Sequence, residues 1–242
     1  MKPAGPILVA GCGHSGTSLL LAIIGCHSNI LPIPGETNFG FPERSDEDIL
    51  ASAKRFQFRA IVKGKSRWAE KTPRHIWYVS RLLALLPEAR FVIIQRDGRD
   101  VACSLGKRHE SFVHGIRRWV WDNALALHHS TDPRVLLIRY EELVTHSEAA
   151  TRRICSFLCE EFEPAMLEFH QQPRSWYSKT LVRPPEYSQS THKQYRNWQI
   201  NQPIFDGRGR WKSVMTDEQK QLFKEEAGGL LISLGYAENN DW

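Results

Sequence analysis

The stretch that decides the fold is ILVAGCGHSGTS, residues 7–18. Residues 7–10 form a short apolar run, which is typical of a buried strand. Gly11, Gly13 and Gly16 follow, and residues 17–25 then have the composition of an apolar helix. A strand that passes through a glycine-rich turn into a helix is the usual opening unit of a parallel α/β sheet.

Further apolar runs alternate with helical patterns along the rest of the chain. Short strands are predicted at Ile30–Ile33, Phe91–Ile94 and Val135–Ile138. Apolar spacing and capping residues predict helices over residues 45–60, 71–86, 100–108, 113–129, 147–158 and 217–234. Residues 171–210 follow neither period, and a polar stretch of that length is usually functional or disordered. This order predicts an α/β fold of three layers, with helices on both faces of a mainly parallel central sheet.

Composition narrows the class of protein. Of 242 residues, 41% are hydrophobic and 24% are charged, which is ordinary globular usage and fits one domain over residues 1–242. No apolar run approaches the roughly 18 residues of a membrane span, and the run at 7–10 is too short for a signal peptide. Five cysteines, an odd number, favour a reduced compartment and therefore a cytoplasmic location. The net charge of +5 indicates an anionic ligand, but no Lys/Arg run is long enough to predict nucleic-acid binding.

The loop between the first strand and the first helix is a candidate anion site. Backbone N–H groups of such a turn and the helix N-terminus attract phosphate, and the hydroxyls of Ser15, Thr17 and Ser18 add donors. Gly11 and Gly16 have the spacing of the nucleotide P-loop, but Thr17 stands where that motif has its lysine. The missing lysine argues against ATP or GTP hydrolysis. A purely structural glycine turn is the alternative interpretation.

A second candidate site follows the strand predicted at residues 91–94. The segment RDGRDVACSLGKR, residues 96–108, places Arg96 at the strand end and Ser104 and Arg108 one turn apart on the following helix. In open α/β sheets ligands bind at the carboxyl ends of strands, so this segment is expected to border the same crevice as the loop. Two guanidinium groups and a hydroxyl suit a phosphate dianion. The alternative is a solvated charged loop.

Together these segments resemble the sulfotransferases that use 3′-phosphoadenosine-5′-phosphosulfate (PAPS), especially the bacterial branch related to the tyrosylprotein and heparan enzymes. The resemblance rests on GHSGTS at 13–18 and on RDGRD at 96–100 with Ser104. Three more motifs follow the family's order, namely EKTP at 70–73, RYEEL at 139–143 and GRWK at 209–212. The match runs from about residue 7 to residue 234, and five short motifs in order are more specific than any one of them.

The resemblance implies a P-loop-type α/β fold and a set of cofactor ligands. Residues 14–18 would bind the 5′-phosphosulfate, and the arginines and serine of the second segment would bind the 3′-phosphate. The predicted cofactor-binding residues are His14, Ser15, Gly16, Thr17, Ser18, Arg96, Ser104, Arg108, Tyr140, Gln199, Gln202, Arg210 and Trp211. In the tyrosylprotein enzymes the part corresponding to residues 198–203 folds over the cofactor, so the stretch 171–210 is expected to form a lid.

The resemblance also assigns three catalytic residues. Glu36, in GET at 35–37, matches the family's base segment and is the candidate general base; from the residues alone it would be a surface-loop glutamate. Lys71 is predicted to open a helix, where the dipole disfavours a cation, and the transferring sulfuryl group would be its anionic partner; a surface lysine is the alternative. His14 stands where relatives usually have Lys or Arg, and an unperturbed imidazole is cationic only below about pH 6.5.

These assignments predict in-line transfer of a sulfuryl group from PAPS to an acceptor hydroxyl or amine, with 3′,5′-bisphosphoadenosine (PAP) as product and no metal required. A glycan, a peptide tyrosine, a lipid and a small molecule all remain open as acceptors, and the oligomeric state is not predicted. One alternative is a P-loop kinase, which shares the fold and binds ATP with magnesium. Another is a non-catalytic nucleotide-binding protein, against which the presence of both Glu36 and Lys71 counts.

Overall fold

The computed structural model describes residues 5–109, 111–188 and 190–242. Within these ranges the strands are β1 (Ile7–Gly11), β2 (Ile30–Pro32), β3 (Arg67–Lys71), β4 (Arg90–Gln95) and β5 (Val135–Arg139). They form one sheet in the order β2-β3-β1-β4-β5. Each neighbouring pair is parallel, with Ile7 opposite both Ala69 and Arg90. The predicted mainly parallel sheet is confirmed.

Helices occupy most of the connections between these strands. In the described ranges they are α1 (Thr17–Ile24), α2 (Asp46–Val62), α3 (Val79–Leu85), α4 (Gly98–His109), α5 (Phe112–His128), α6 (Tyr140–Thr145), α7 (Ser147–Leu158), α8 (His192–Gln199), α9 (Trp211–Val214) and α10 (Asp217–Ser233). Turns of 3₁₀ helix lie at Pro73–Tyr78, Pro164–Met166 and Phe169–Gln171. Capping boxes start α2 at Ser45 and α10 at Thr216, close to the helix starts that the sequence predicts.

Apolar side chains pack on both faces of the sheet because successive strand residues point to opposite sides. Ile7 and Val9 pack with α1 and α7 on one face. Leu8 and Ala10 pack with α2 and α3 on the other. A third cluster joins α4, α5 and α10 around Trp119 and Phe223. The predicted three-layer architecture is therefore confirmed. In the part of the chain that the structure describes, no helix has the length and apolar content to cross a membrane.

The prediction of a helix opening at Lys71 is wrong. Lys71 ends the buried strand β3, a 3₁₀ turn follows at Pro73–Tyr78, and α3 begins only at Val79. The sequence RWAEK of β3 carries three charged residues. It therefore lacks the apolar run that predicts a buried strand. Buried charges persist where they are paired, and Arg67 reaches Glu160 at 3.2 Å while Lys71 reaches Glu36 at 2.7 Å. Lys71 therefore does not lie at a helix N-terminus, although it does have an anionic partner.

The stretch 171–210 is irregular, as expected, except for α8 at residues 192–199. That helix was not predicted because its sequence, HKQYRNWQ, has no continuous apolar stripe. Among the residues of α8, Asn197 alone is fully buried. Its side chain accepts from the backbone N–H of Tyr177 and donates to the carbonyl of Thr180, both in the preceding loop. Polar contacts thus hold the helix in place, and its sequence shows little hydrophobic periodicity.

Candidate active site

Parallel pairing brings the carboxyl ends of the strands to one edge of the sheet. The loop 11–18 follows β1, Lys71 ends β3, Arg96 follows β4 and Tyr140 follows β5. Since β1 lies between β3 and β4, the loop is flanked by the ends of both neighbours. Residues far apart in the sequence therefore converge on one edge.

The backbone of the loop 11–18 is shaped to receive an anion. Gly11, His14 and Gly16 have positive φ angles of 137°, 68° and 98°. A Cβ atom on Gly16 would lie 2.8 Å from a ring carbon of Tyr140, so both backbone and packing require glycine there. Among the described residues, no side chain caps the N-terminus of α1, and Ser15 Oγ is buried without a hydrogen-bond partner. Such free donors at a helix N-terminus suit phosphate or sulfate groups.

Arg96 connects the loop to two other segments. Its Nη1 donates to the carbonyl of His14 at 3.2 Å, and its Nη2 donates to the carbonyl of Gly207 at 2.6 Å. The guanidinium lies over the Tyr140 ring, 4.2 Å from the centroid. Asp100 Oδ2 is 3.5 Å from Nη2. Arg96 thus joins the ends of β1, β4 and β5 with the segment around residue 207.

His14 lies at the centre of this edge as a neutral ring. Its Nδ1 is 2.7 Å from Ser104 Oγ, and its ring stacks on that of His192 with centroids 6.2 Å apart. Burial lowers the pKa of His14 to about 3, with His192 and Arg196 adding to the effect. Burial, together with Arg108 and Arg196, also lowers the pKa of His192 to about 4. At neutral pH the loop therefore carries no charged side chain of its own.

Glu36 and Lys71 meet as an ion pair. Lys71 Nζ, fully buried, donates to Glu36 Oε1 at 2.7 Å, and Arg196 Nη2 donates to the same oxygen at 2.8 Å. Burial disfavours the ionised carboxyl, but the charge of Lys71 and then that of Arg196 outweigh it and lower the pKa of Glu36 to about 2. In this arrangement Glu36 is a carboxylate held by two cations, which makes it a weak base.

A buried network beneath this pair positions the turn that carries Glu36. Glu70 Oε1 accepts hydrogen bonds from the backbone N and the hydroxyl of Thr37, at 3.1 and 2.9 Å, and from the Thr72 hydroxyl at 2.5 Å. Its Oε2 lies 3.1 Å from His75 Nδ1. Burial disfavours the ionised carboxyl, but the interaction with His75 and these hydrogen bonds outweigh it and lower the pKa of Glu70. The network links the turn that carries Glu36 to the end of β3, which carries Lys71.

The segment 171–210 closes over the loop. Tyr177 Oη is 3.1 Å from Ser18 Oγ, and Arg196 Nη2 donates to the same hydroxyl at 3.2 Å. The Arg196 guanidinium stacks on the Tyr177 ring, 4.0 Å from its centroid, and Lys71 Nζ lies 5.3 Å from that ring. Neither residue was predicted from the sequence. The segment is rich in basic and aromatic residues and has no periodicity, so its sequence does not indicate which of them contribute to the site.

The predicted site residues do not all lie in one place. The structure gathers those of the loop and the strand ends at one edge: His14, Ser15, Gly16, Thr17, Ser18, Glu36, Lys71, Arg96, Ser104 and Tyr140. Arg108 lies on α4 with Ser104, and Gln199 is at the end of α8, where Gln202 donates to Trp198. Arg210 is exposed, and Trp211 packs in the third apolar cluster against Arg99, 4.1 Å away. The roles of all these residues stay predictions.

Comparisons with known proteins give a family for the sequence and a shared fold for the structure. The profile described as "Sulfotransferase family" matches residues 6–164. A solved sulfotransferase domain from the curacin biosynthetic pathway is 16% identical, with a TM-score of 0.62 over 93% of this chain and 98% of that one. The sulfotransferase domain of the Synechococcus PCC 7002 olefin synthase is 17% identical, with a TM-score of 0.62 over 93% and 95%. A mouse sulfotransferase complexed with PAP is 15% identical, with a TM-score of 0.59 over 97% and 86%.

One curated protein is a relative of this chain by sequence alignment. An uncharacterized protein of Aquifex aeolicus (strain VF5) is 25% identical over 241 aligned positions, which cover 83% of this chain. The chain spans about a third of the length of that relative, 32%. The solved structures, all below 25% identity, show that the fold is shared.

Proposed function

Because the chain belongs to the sulfotransferase family, we propose that it transfers the sulfuryl group of PAPS to an acceptor hydroxyl or amine and releases PAP. The observation that carries this proposal is the convergence of three features at one sheet edge. These are the glycine-rich loop at the uncapped start of α1, Arg96 against that loop, and the Glu36–Lys71 pair at 2.7 Å. We propose that residues 1–242 act as one sulfotransferase domain.

The donor groups at this edge fit a nucleotide with two phosphates and a sulfate. In the described residues Ser15 Oγ and Arg96 Nε are buried polar atoms without a partner, and buried polar atoms are ordinarily paired. In this proposal the loop 14–18 holds the 5′-phosphosulfate, Arg96, Ser104 and Arg108 hold the 3′-phosphate, and Tyr140 contacts the nucleotide. Gln199, Gln202 and Arg210 remain candidates from the covering segment, whereas Trp211 is supported only as a packing residue.

PAPS supplies the activated sulfuryl group and PAP is its leaving group. Glu36 accepts the proton of the acceptor as the acceptor oxygen or nitrogen attacks sulfur and the bond from sulfur to the phosphate oxygen breaks. Lys71, now bonded to Glu36, can donate to the negatively charged sulfuryl oxygens instead. That exchange removes the cation that most lowers the pKa of Glu36, so the carboxylate becomes a stronger base as Lys71 leaves it.

Fixed donors of the chain supply the charge stabilisation in this scheme. We therefore infer that the reaction needs no metal. The five cysteines are free thiols, which supports the inference of a cytoplasmic location. The acceptor is a hydroxyl or amine of a glycan, peptide, lipid or small molecule.

Ligand-induced thermal stabilisation tests the cofactor directly. We expect PAP at 100 times its dissociation constant to stabilise the protein by about 2.7 kcal/mol, and Arg96→Ala to abolish the shift. Stabilisation by ATP with magnesium and not by PAP would indicate a P-loop kinase instead. A screen of acceptors with labelled PAPS follows; PAP binding without transfer to any acceptor class would favour the non-catalytic alternative.

A further inference from the structure

Sulfuryl transfer requires positive charge at the sulfuryl group, and the loop 11–18 does not provide it. Its single titratable side chain apart from a cysteine is His14, whose Nδ1 is engaged by Ser104 Oγ at 2.7 Å. Burial keeps that ring neutral at physiological pH, since its pKa falls to about 3. Arg96, which contacts the loop backbone, donates through Nη1 and Nη2 to the carbonyls of His14 and Gly207. Lys71 supplies one positive charge to the sulfuryl group in the proposed mechanism. A second cation from elsewhere in the chain is needed where the neutral His14 supplies none.

Arg196 lies between the loop and the candidate base. One nitrogen, Nη2, donates to Ser18 Oγ at 3.2 Å and to Glu36 Oε1 at 2.8 Å. The oxygen Oε1 of Glu36 is also the acceptor for Lys71 Nζ at 2.7 Å. A group that bridges the phosphosulfate loop and the proton acceptor occupies the position through which a transferred group has to pass.

The guanidinium is held in place from both sides. It stacks on Tyr177, whose hydroxyl is 3.1 Å from Ser18 Oγ. The next residue on α8, Asn197, is fully buried and bonds to the backbone of Tyr177 and of Thr180. A planar guanidinium has five N–H donors in a fixed fork, so it can bind sulfuryl oxygens while it keeps a neighbouring contact.

We propose that Arg196 is a further catalytic residue, whose guanidinium binds the sulfuryl group of PAPS and supplies the positive charge that His14 does not. The inference rests on the proposed function and concerns the same site. It makes α8 part of the catalytic machinery as well as part of a cover. Arg196 is bonded to Glu36 in this structure, and in the proposed complex the sulfuryl oxygens replace that carboxylate as its anionic partner.

The test compares binding of PAPS and PAP, which differ only in the sulfuryl group. By isothermal titration calorimetry at 4 °C, we expect Arg196→Gln to weaken PAPS binding by about 10- to 100-fold, the usual range for a charge-assisted hydrogen bond. PAP affinity is expected to change by less than about twofold, because PAP has nothing at that position. Arg196→Lys is expected to retain part of the preference for PAPS. Arg196→Met, which keeps the apolar stem over Tyr177, serves as a second uncharged variant.

Two controls define the outcomes. Arg183→Gln removes an exposed arginine of the same segment, which stacks on Trp198 at 5.0 Å, and is expected to leave both affinities unchanged. Arg96→Ala is expected to weaken PAPS and PAP alike. If Arg196→Gln and Arg196→Met keep the circular dichroism of the parent and affect the two ligands equally, or affect neither, Arg196 does not bind the sulfuryl group. If the parent binds neither ligand, the proposed function fails together with this inference.

Discussion

At the scale of single residues, burial has more influence on the charges of the site than residue type has. His14 and His192 stack on each other beneath cationic neighbours, and both imidazoles are held neutral. Glu36 shows the opposite case, in which neighbouring cations keep a carboxyl ionised. Sequence alone gave His14 an ordinary pKa near 6.5, because its neighbours on α8 could not be identified from an irregular segment.

Acidification is expected to destabilise the protein through these two histidines. Their folded-state pKa values, about 3 and about 4, lie below the ordinary 6.5, so the unfolded chain binds more protons than the folded one between those limits. The free energy of unfolding therefore falls as pH falls below 6.5. We expect His14→Gln to reduce the loss between pH 7 and pH 5 by about 2 kcal/mol, measured by urea denaturation at each pH.

An equal loss of stability in His14→Gln and the parent would mean that His14 protonates freely in the folded protein.

Removal of the Glu36 carboxylate is expected to stop turnover without preventing cofactor binding. Glu36→Gln cannot accept the acceptor's proton, and a general base contributes about 10²- to 10⁴-fold to a rate. We expect kcat to fall within that range while PAP affinity stays within about twofold of the parent. Glu43→Gln, an exposed glutamate of the following loop, serves as control. Retention of full activity by Glu36→Gln would remove Glu36 as the base.

At the scale of elements, strand β3 contributes charged residues to the site. Those same residues prevented its prediction as a strand from the sequence. The strands β1, β4 and β5 were predictable because each is a run of apolar residues, buried in β1 and β4 and partly buried in β5. Strand β3 was not, because Arg67, Glu70 and Lys71 find their partners only in three dimensions. The motifs predicted Glu36 and Lys71 as site residues. They did not predict the contact between these two side chains, which are 35 positions apart in the sequence.

The Glu70 network is expected to affect catalysis through the position of Glu36. Thr37→Val removes the hydroxyl that donates to Glu70 at 2.9 Å and keeps the shape of the side chain. We expect a loss of about 1 kcal/mol in stability and a roughly tenfold lower kcat, since small displacements of positioned groups reduce rates strongly.

Thr37→Ser restores the donor and is expected to recover most of that kcat. PAP affinity is expected to stay unchanged in both variants, which separates a positioning effect from a general disturbance. A Thr37→Ser variant as slow as Thr37→Val would show that the methyl group, and not the hydrogen bond, is what matters.

The start of α4 is expected to couple cofactor affinity to the segment at 207–211. Asp100 accepts the backbone N–H groups of Gly209 and Trp211 at 2.8 and 2.9 Å, and it pairs with Arg96. Asp100→Asn puts an amide donor against one of these donors, at a cost of about 1–3 kcal/mol in stability. We expect a lower melting temperature and weaker PAP binding. Asp241→Asn, at an exposed position, is the control; equal PAP affinities in the two variants would refute the coupling.

At the scale of the whole molecule, the site is assembled from segments spread over most of the chain. His14, Glu36, Lys71, Arg96 and Arg196 follow different strands or lie on a distant helix, yet they contact one another directly or through one neighbour. This is the geometric result of a sheet in which each neighbouring pair of strands is parallel. Motif order therefore indicated the strand-end groups, and the resemblance indicated a covering segment, whereas the contacts of Arg196 on α8 became visible only in the fold.

The parallel order of the sheet also has a consequence for folding kinetics. Parallel neighbours are joined only through crossovers, so their contacts are distant in sequence and form slowly. No partly folded chain that lacks α8 or the pairing of β4 with β5 can hold Arg196 and Tyr140 against the loop. After dilution from urea, we expect PAP-induced protection from proteolysis to develop with the slowest refolding phase, later than most of the change in tryptophan fluorescence. PAP binding would then distinguish fully folded molecules from partly folded ones.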